Sequence, residues 1–293
     1  MSDPRAIHRV TRQRPCPICQ KPDYCSTLGD DPADPDGVIC MRVEAGRPTR
    51  NGGWLHWLRN QRPGQRLPRR IVIPLISAAP PVEIAEMSSK FQQDAGAFGT
   101  LAKLGAELGL SVESMRRFGV GYCQDQHCST WPMADADGRV VGINRRFADG
   151  SKKLFPRHHA ALYMPVDLPG DLQDQQLLIA EGATDAVAAL DFGSWSVGRF
   201  SCSHGADLLK RLVKARRPAG VVIVADRDAP GQRGAGRLAS DLLPYVGRLK
   251  VICPPGHIKD LRAWKRAGLT VEELQQVIEQ APVRRLNVEV RNG

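Results

Sequence analysis

Leu177-Leu-Ile-Ala-Glu-Gly-Ala-Thr-Asp185 and Val221-Val-Ile-Val-Ala-Asp-Arg-Asp-Ala-Pro-Gly231 are the two stretches whose reading settles how this chain folds. Each begins with an unbroken apolar run and then turns acidic. A strand with one wet face alternates apolar and polar residues. These two do not, so both of their faces are covered, as in a parallel sheet with helices on either side. The neighbouring segments fit that pattern. Residues 184–192 and 206–216 read as helices, 195–200 as a strand, and 249–252 as a further short strand before a helix over 261–267. Another helix starts near Gly234, and Thr270-Val-Glu-Glu273 is a capping box that opens a last one to Gln280. The expected class is α/β, with a doubly wound parallel sheet.

The acids that end these runs carry the chemistry. Glu181 follows the first run, with Asp185 one helical turn later; Asp226 and Asp228 follow the second; Lys259 and Asp260 follow the last strand. Each acid stands at the carboxyl end of a strand, where open parallel sheets collect their ligands. In extended backbone Asp226 and Asp228 project to the same side. Gly182 and Gly231 allow sharp turns beside them. Carboxylates crowded on one edge repel one another, and a hard divalent cation, Mg²⁺ or Mn²⁺, relieves that. The competing reading, helix caps and first-turn residues, suits Asp185 alone.

The chain has 293 residues and a net charge of +10, from 41 Lys+Arg against 31 Asp+Glu, which favours a polyanionic partner. No apolar run approaches a membrane span, and Met1-Ser-Asp-Pro-Arg5 leads into polar sequence, so a cytoplasmic address with no membrane partner is expected. In that reducing compartment the eight cysteines read as thiols or metal ligands. Cys16-Pro-Ile-Cys19 with Cys25 and Cys40 makes a tetrathiolate set suited to structural Zn²⁺, with His56 as an alternative to Cys25. Arginines crowd the stretch that follows, at 42, 47, 50, 59, 62, 66, 69 and 70, and suit phosphate contact. Trp54 and Trp57 could stack on bases, but read better as the small core of the zinc fold. The expected organisation is a zinc-binding ribbon over 1–62 and a proline-broken linker over 63–90, with a short strand at 71–76. A helix-then-hairpin subdomain follows over 91–170, its turns at Asp137-Gly138 and Asp149-Gly150. The α/β unit then covers 171–268, and a helix and tail 269–293.

Glu181-Gly-Ala-Thr-Asp185, Asp226-Arg-Asp228-Ala-Pro-Gly231 and Lys259-Asp260 resemble the TOPRIM domain shared by bacterial-type DNA primases, type IA and II topoisomerases and some nucleases. Residues 103–165, with Gly138-Arg-Val-Val-Gly-Ile-Asn-Arg-Arg146 and Gly150-Ser-Lys-Lys-Leu154, are similar to the mixed α+β basic subdomain that precedes TOPRIM in those primases. The cysteine cluster is similar to their zinc ribbon, in the form found in stand-alone phage and plasmid proteins. The resemblance implies a DnaG-like enzyme that makes short RNA primers on single-stranded DNA from nucleoside triphosphates, working beside a separate replicative helicase. It implies Glu181, Asp226 and Asp228 as catalytic residues and, with Asp185 and Asp260, as Mg²⁺ ligands. Arg145, Arg146, Lys152, Lys153 and Lys259 would contact nucleic acid or nucleotide. The late segment departs from the family, since no second acid follows Asp260 two residues on. A metal-dependent nuclease and a non-catalytic DNA-binding replication factor are the alternatives.

Overall fold

The computed structural model describes residues 7–45, 49, 53–58, 80–97 and 99–285. The chain divides into two compact units, Met1–Leu75 and Ile76–Gly293.

The first unit is a four-stranded antiparallel sheet, β1 (Ile7–Arg9), β2 (Ser26–Leu28), β3 (Gly37–Cys40) and β4 (Trp54–Trp57), in sequential order. Among the described residues its buried core is Val10, Val38 and three cysteines. So little apolar surface cannot hold a fold of this size alone. Trp54 and Trp57 are half-buried on β4, and the Trp57 ring lies against Gly37, where a Cβ would come within 3.0 Å of it. Arg47, Arg50, Arg59, Arg62, Arg66, Arg69, Arg70 and the expected strand at 71–76 lie outside the described residues.

The second unit opens with three helices, α1 (Pro81–Ala97), α2 (Thr100–Leu108) and α3 (Val112–Arg117). The prolines at 80 and 81 read as breakers, yet α1 starts at Pro81. Proline is favoured in a first helical turn, where its missing N–H would have no partner. The 63–90 linker therefore overlaps ten residues of helix. An antiparallel meander follows: β5 (Gly121–Cys123), β6 (Cys128–Ala134), β7 (Val140–Arg146) and β8 (Lys152–Leu154). Both Asp-Gly pairs sit in its turns, with Gly138 and Gly150 at φ of 88° and 79°.

Strand–helix alternation takes over with β9 (Gln176–Ala180), α4 (Ala183–Asp191), β10 (Trp195–Gly198) and α5 (Ala206–Arg216). It continues through β11 (Gly220–Val224), α6 (Ala229–Leu242), β12 (Leu249–Ile252), α7 (Leu261–Arg266) and α8 (Val271–Gln280). The four strands pair in parallel in the order β10-β9-β11-β12. Period-two alternation separates two cores. Leu178, Ala180, Val222 and Val224 pack with α4, α7 and α8, whereas Leu177, Ile179, Val221 and Ile223 pack with α5 and α6. The sheet is covered on both faces, as the unbroken apolar runs require. Helix α6 starts at Ala229 rather than near 234, because Asp228 caps it and Pro230 sits in its first turn. The capping box at Thr270 and Glu273 is present.

Asp191, at the end of α4, fastens the meander's helices to the parallel sheet. It accepts from the Ser111 N–H at 3.1 Å and pairs with the Lys265 ammonium at 2.9 Å. Among the described residues no helix is long and apolar enough to cross a membrane.

Candidate active site

The order β10-β9-β11-β12 sends the chain from β9 to one side and then back past it to the other. The crevice at the carboxyl ends of β9 and β11 is the point where such sheets bind ligands. Ile223 pairs with Ile179, so the two strands end at nearly the same level, with Glu181 leaving one and Asp226 the other. Gly182, at φ 124°, makes the exit from β9 into α4 without a side-chain clash. Gly231 serves differently from the expected turn. It lies inside α6, and a Cβ there would stand 2.6 Å from the Cβ of Asp226, so glycine lets the helix close onto the acid.

Three of the five acids have structural work as well. Asp228 Oδ1 accepts from the Gly231 N–H at 2.8 Å, capping α6, and Asp260 Oδ1 accepts from the Ala263 N–H at 2.8 Å, capping α7. Buried Asp185 is no cap. Its Oδ1 accepts from the Arg262 N–H at 3.0 Å, tying α4 to the start of α7. Asp185 is a first-turn residue of α4, one of the two roles the sequence allows it, while the cap role belongs to Asp228 and Asp260. Capping occupies one carboxylate oxygen and leaves the other for a ligand. Glu181 differs again, since its Oε2 is buried and accepts no hydrogen bond. The nearest cation to it is the Arg199 guanidinium at 3.9 Å.

These acids disturb one another. Burial and the Asp185 and Glu181 carboxylates push Asp226 up to about 8. Burial and Asp260 push Asp185 up to about 6. Glu181 is also raised, by burial and by Asp228, although Arg199 opposes the shift. Their oxygens are not drawn to one point. Among the described residues, the cysteines are the one group of three or more such donors lying within 4.8 Å of each other. Crowded hard oxygen donors, with one buried oxygen lacking a partner, fit a divalent cation such as Mg²⁺ or Mn²⁺.

Basic residues come close to this rim from β7 and β8. Arg146 pairs with Lys152 in the ladder and Arg145 with Lys153, so each pair shares a face. The faces differ in use. Arg145 donates to Gln126 Oε1 at 2.6 Å and to the Leu154 carbonyl at 2.8 Å, and lies 4.4 Å over the Phe155 ring. Lys153 sits over Phe147. These contacts tie Arg145 to β8. Arg146 and Lys152 feel the Asp185 carboxylate instead. Desolvation, together with Arg262 for the first and Arg146 for the second, lowers both. Lys259 borders Glu181 and Asp226. Acids raised by acids, beside bases lowered by bases, form a rim that a cation and an anion would both relieve. Sequence reasoning missed Arg199. Its position one residue past β10, beside the end of β9, was the available signal.

In the first unit the four sulfurs of Cys16, Cys19, Cys25 and Cys40 lie within 4.8 Å of one another. Backbone N–H groups of Met41, Arg42 and Val43 point at the sulfurs of Cys25 and Cys40 at 3.3 to 3.5 Å. Burial raises the Cys19 thiol, but hydrogen bonds from the Lys21 backbone, Cys16, Cys25 and Arg42 outweigh it and leave the group at about 7. Donors aimed at sulfur stabilise thiolates, and a soft tetrathiolate shell fits Zn²⁺. His56 stands outside the set, with Nε2 at 3.0 Å from the Val43 carbonyl.

No protein-family model and no curated protein matches the chain. Solved structures do. The Escherichia coli primase catalytic core superposes with a TM-score of 0.54 at 21% identity, over 69% of this chain and 80% of that one. This is the fold of a bacterial primase core. A DnaG primase catalytic domain bound to single-stranded DNA gives 0.55 at 21% identity, again over 69% and 80%. The zinc-binding and RNA polymerase domains of the Aquifex aeolicus primase give 0.56 at 15%, over 70% of this chain and 61% of that one. In this fold Glu181 leaves β9, and Asp226 and Asp228 follow β11, at the same end of the sheet.

Proposed function

We propose that the chain is a DNA primase, joining nucleoside triphosphates into short RNA primers on single-stranded DNA. The observation that carries this reading is the pairing of an acidic rim at the β9/β11 crevice with Arg146 and Lys152 beside it. A primase-type fold supports it, as does the fact that one structure of similar fold has single-stranded DNA bound.

Glu181, Asp226 and Asp228 would hold Mg²⁺ or Mn²⁺, with Asp185 and Asp260 lending negative charge from behind. When bound, the metal polarises the phosphate and stabilises the leaving pyrophosphate. Arg146 and Lys152 orient the anionic triphosphate and neutralise its charge, and Lys259 extends the basic edge towards Glu181. Arg145 and Lys153 stiffen the hairpin that presents them. The first unit, stapled by zinc, reads as a template-binding module, and a helicase is its expected companion in replication.

The test is incubation of the full chain with circular single-stranded DNA, labelled nucleotides and Mg²⁺ or Mn²⁺, with products sized on a denaturing gel. New short oligomers are expected. Shortened template would instead make it a nuclease, and no change a binding factor. In the same assay Arg146→Ala should raise KM for nucleotide about tenfold or more, the worth of a charge-assisted contact. Arg145→Ala should leave KM near the parent's and lower thermal stability.

A further inference from the structure

Arg199 is the most deeply buried guanidinium near the acids, and the reaction outlined above has no use for it. Its side chain is 4% exposed, so neither a nucleotide nor a template can reach it. Arginine keeps its charge even when buried, and a buried charge needs a partner. Its N–H donates to the Ala180 carbonyl at 3.0 Å, which sets it beside Glu181 at the end of the sheet. One terminal nitrogen donates to the Cys202 carbonyl at 2.8 Å. The other stands 3.9 Å from Glu181 Oε2, close enough for strong attraction but too far for a hydrogen bond. The loop holding Cys202 is itself pinned, because a Cβ on Gly234 of α6 would lie 2.8 Å from the Cys202 Cβ. The same helix is capped by Asp228. Burial and the bond to the Cys202 carbonyl thus hold the Arg199 guanidinium beside Glu181. The Cys202 thiol, Asp226 and Arg237 are the other titratable or charged groups that face Arg199.

We infer that Arg199 is a fixed internal counter-ion to Glu181, a positioning residue whose buried charge weakens the grip of the site on its metal. The inference rests on the acids being a cation site, as proposed above. A fixed positive charge opposes an incoming divalent cation, so the bound ion stays exchangeable.

The test is Mn²⁺ binding to the zinc-loaded full chain, read from the paramagnetic resonance signal of free Mn²⁺. Arg199→Met removes the charge. Arg199→Gln also removes it but keeps an N–H donor for the Cys202 carbonyl, which guards against loss of folding. Arg199→Lys keeps the charge. Both neutral variants are expected to bind Mn²⁺ about tenfold more tightly, and the lysine variant within about twofold of the parent. The Mn²⁺ concentration for half-maximal primer synthesis should fall in step. A folded Arg199→Gln protein with unchanged Mn²⁺ affinity overturns the inference and leaves the metal site standing. A parent that binds no Mn²⁺ at its acids, so that Asp226→Asn/Asp228→Asn changes nothing, overturns both.

Discussion

Asp226→Asn is expected to abolish primer synthesis and, in buffer without Mg²⁺, to make the second unit more stable. The loss should be about a thousandfold or more, because a metal-held phosphoryl transition state draws several kcal/mol from its ligands. The gain in stability follows from the acid crowding. Asp226 stands at about 8 in the folded chain. An unfolded aspartate titrates near 3.9. The folded state thus binds the extra proton across that interval, and its stability falls as pH rises from about 4 to about 8. Asparagine removes this slope. At pH 8 the variant should melt about 3 °C or more above the parent, a shift of about 1 kcal/mol in a domain of this size, and near pH 4 the two should converge. Calorimetry at the two pH values checks it, and Mg²⁺ should raise the melting temperature of the parent only.

Removal of zinc should have the second large effect, confined to the first unit. Among the described residues its buried core is only Val10, Val38 and cysteines, too small to stand alone. Structural zinc contributes about 10 kcal/mol or more to folds that depend on it. Cys40→Ser, which removes a buried ligand and the acceptor for the Arg42 and Val43 N–H groups, should leave that unit unfolded. Amide exchange should report lost protection in β1 to β4, with β9 to β12 protected as before. Priming on template should fall with it. A variant whose β3 amides stay protected without bound metal would contradict the staple.

Much of this is legible in the sequence. The runs 177–180 and 221–224 announced a sheet covered on both sides, and the two cores that share those strands are the reason. The capping box at Thr270 and the Asp-Gly turns are local devices, fixed by short-range geometry, and sequence reads such devices well. What stayed hidden depended on position in space. Pro81 looks the same as a breaker or as the first residue of a helix, and tertiary context decides. Arg145 and Arg146 are adjacent and chemically identical, yet the pleat sends one to Phe155 and the other towards Asp185. Asp228 and Asp260 double as caps because a loop entering a helix from a strand end needs an acceptor there. Arg199 was out of view because its partner is a neighbour across the sheet rather than along the chain.

A crystal of the full chain grown with Mn²⁺ and examined at the manganese absorption edge bears most directly on whether these acids share a cation. The expected result is an anomalous peak in the β9/β11 crevice, about 2 Å from oxygens of Glu181, Asp226 or Asp228. A map with density at the four cysteine sulfurs alone, and the three carboxylates pointing apart, would contradict it.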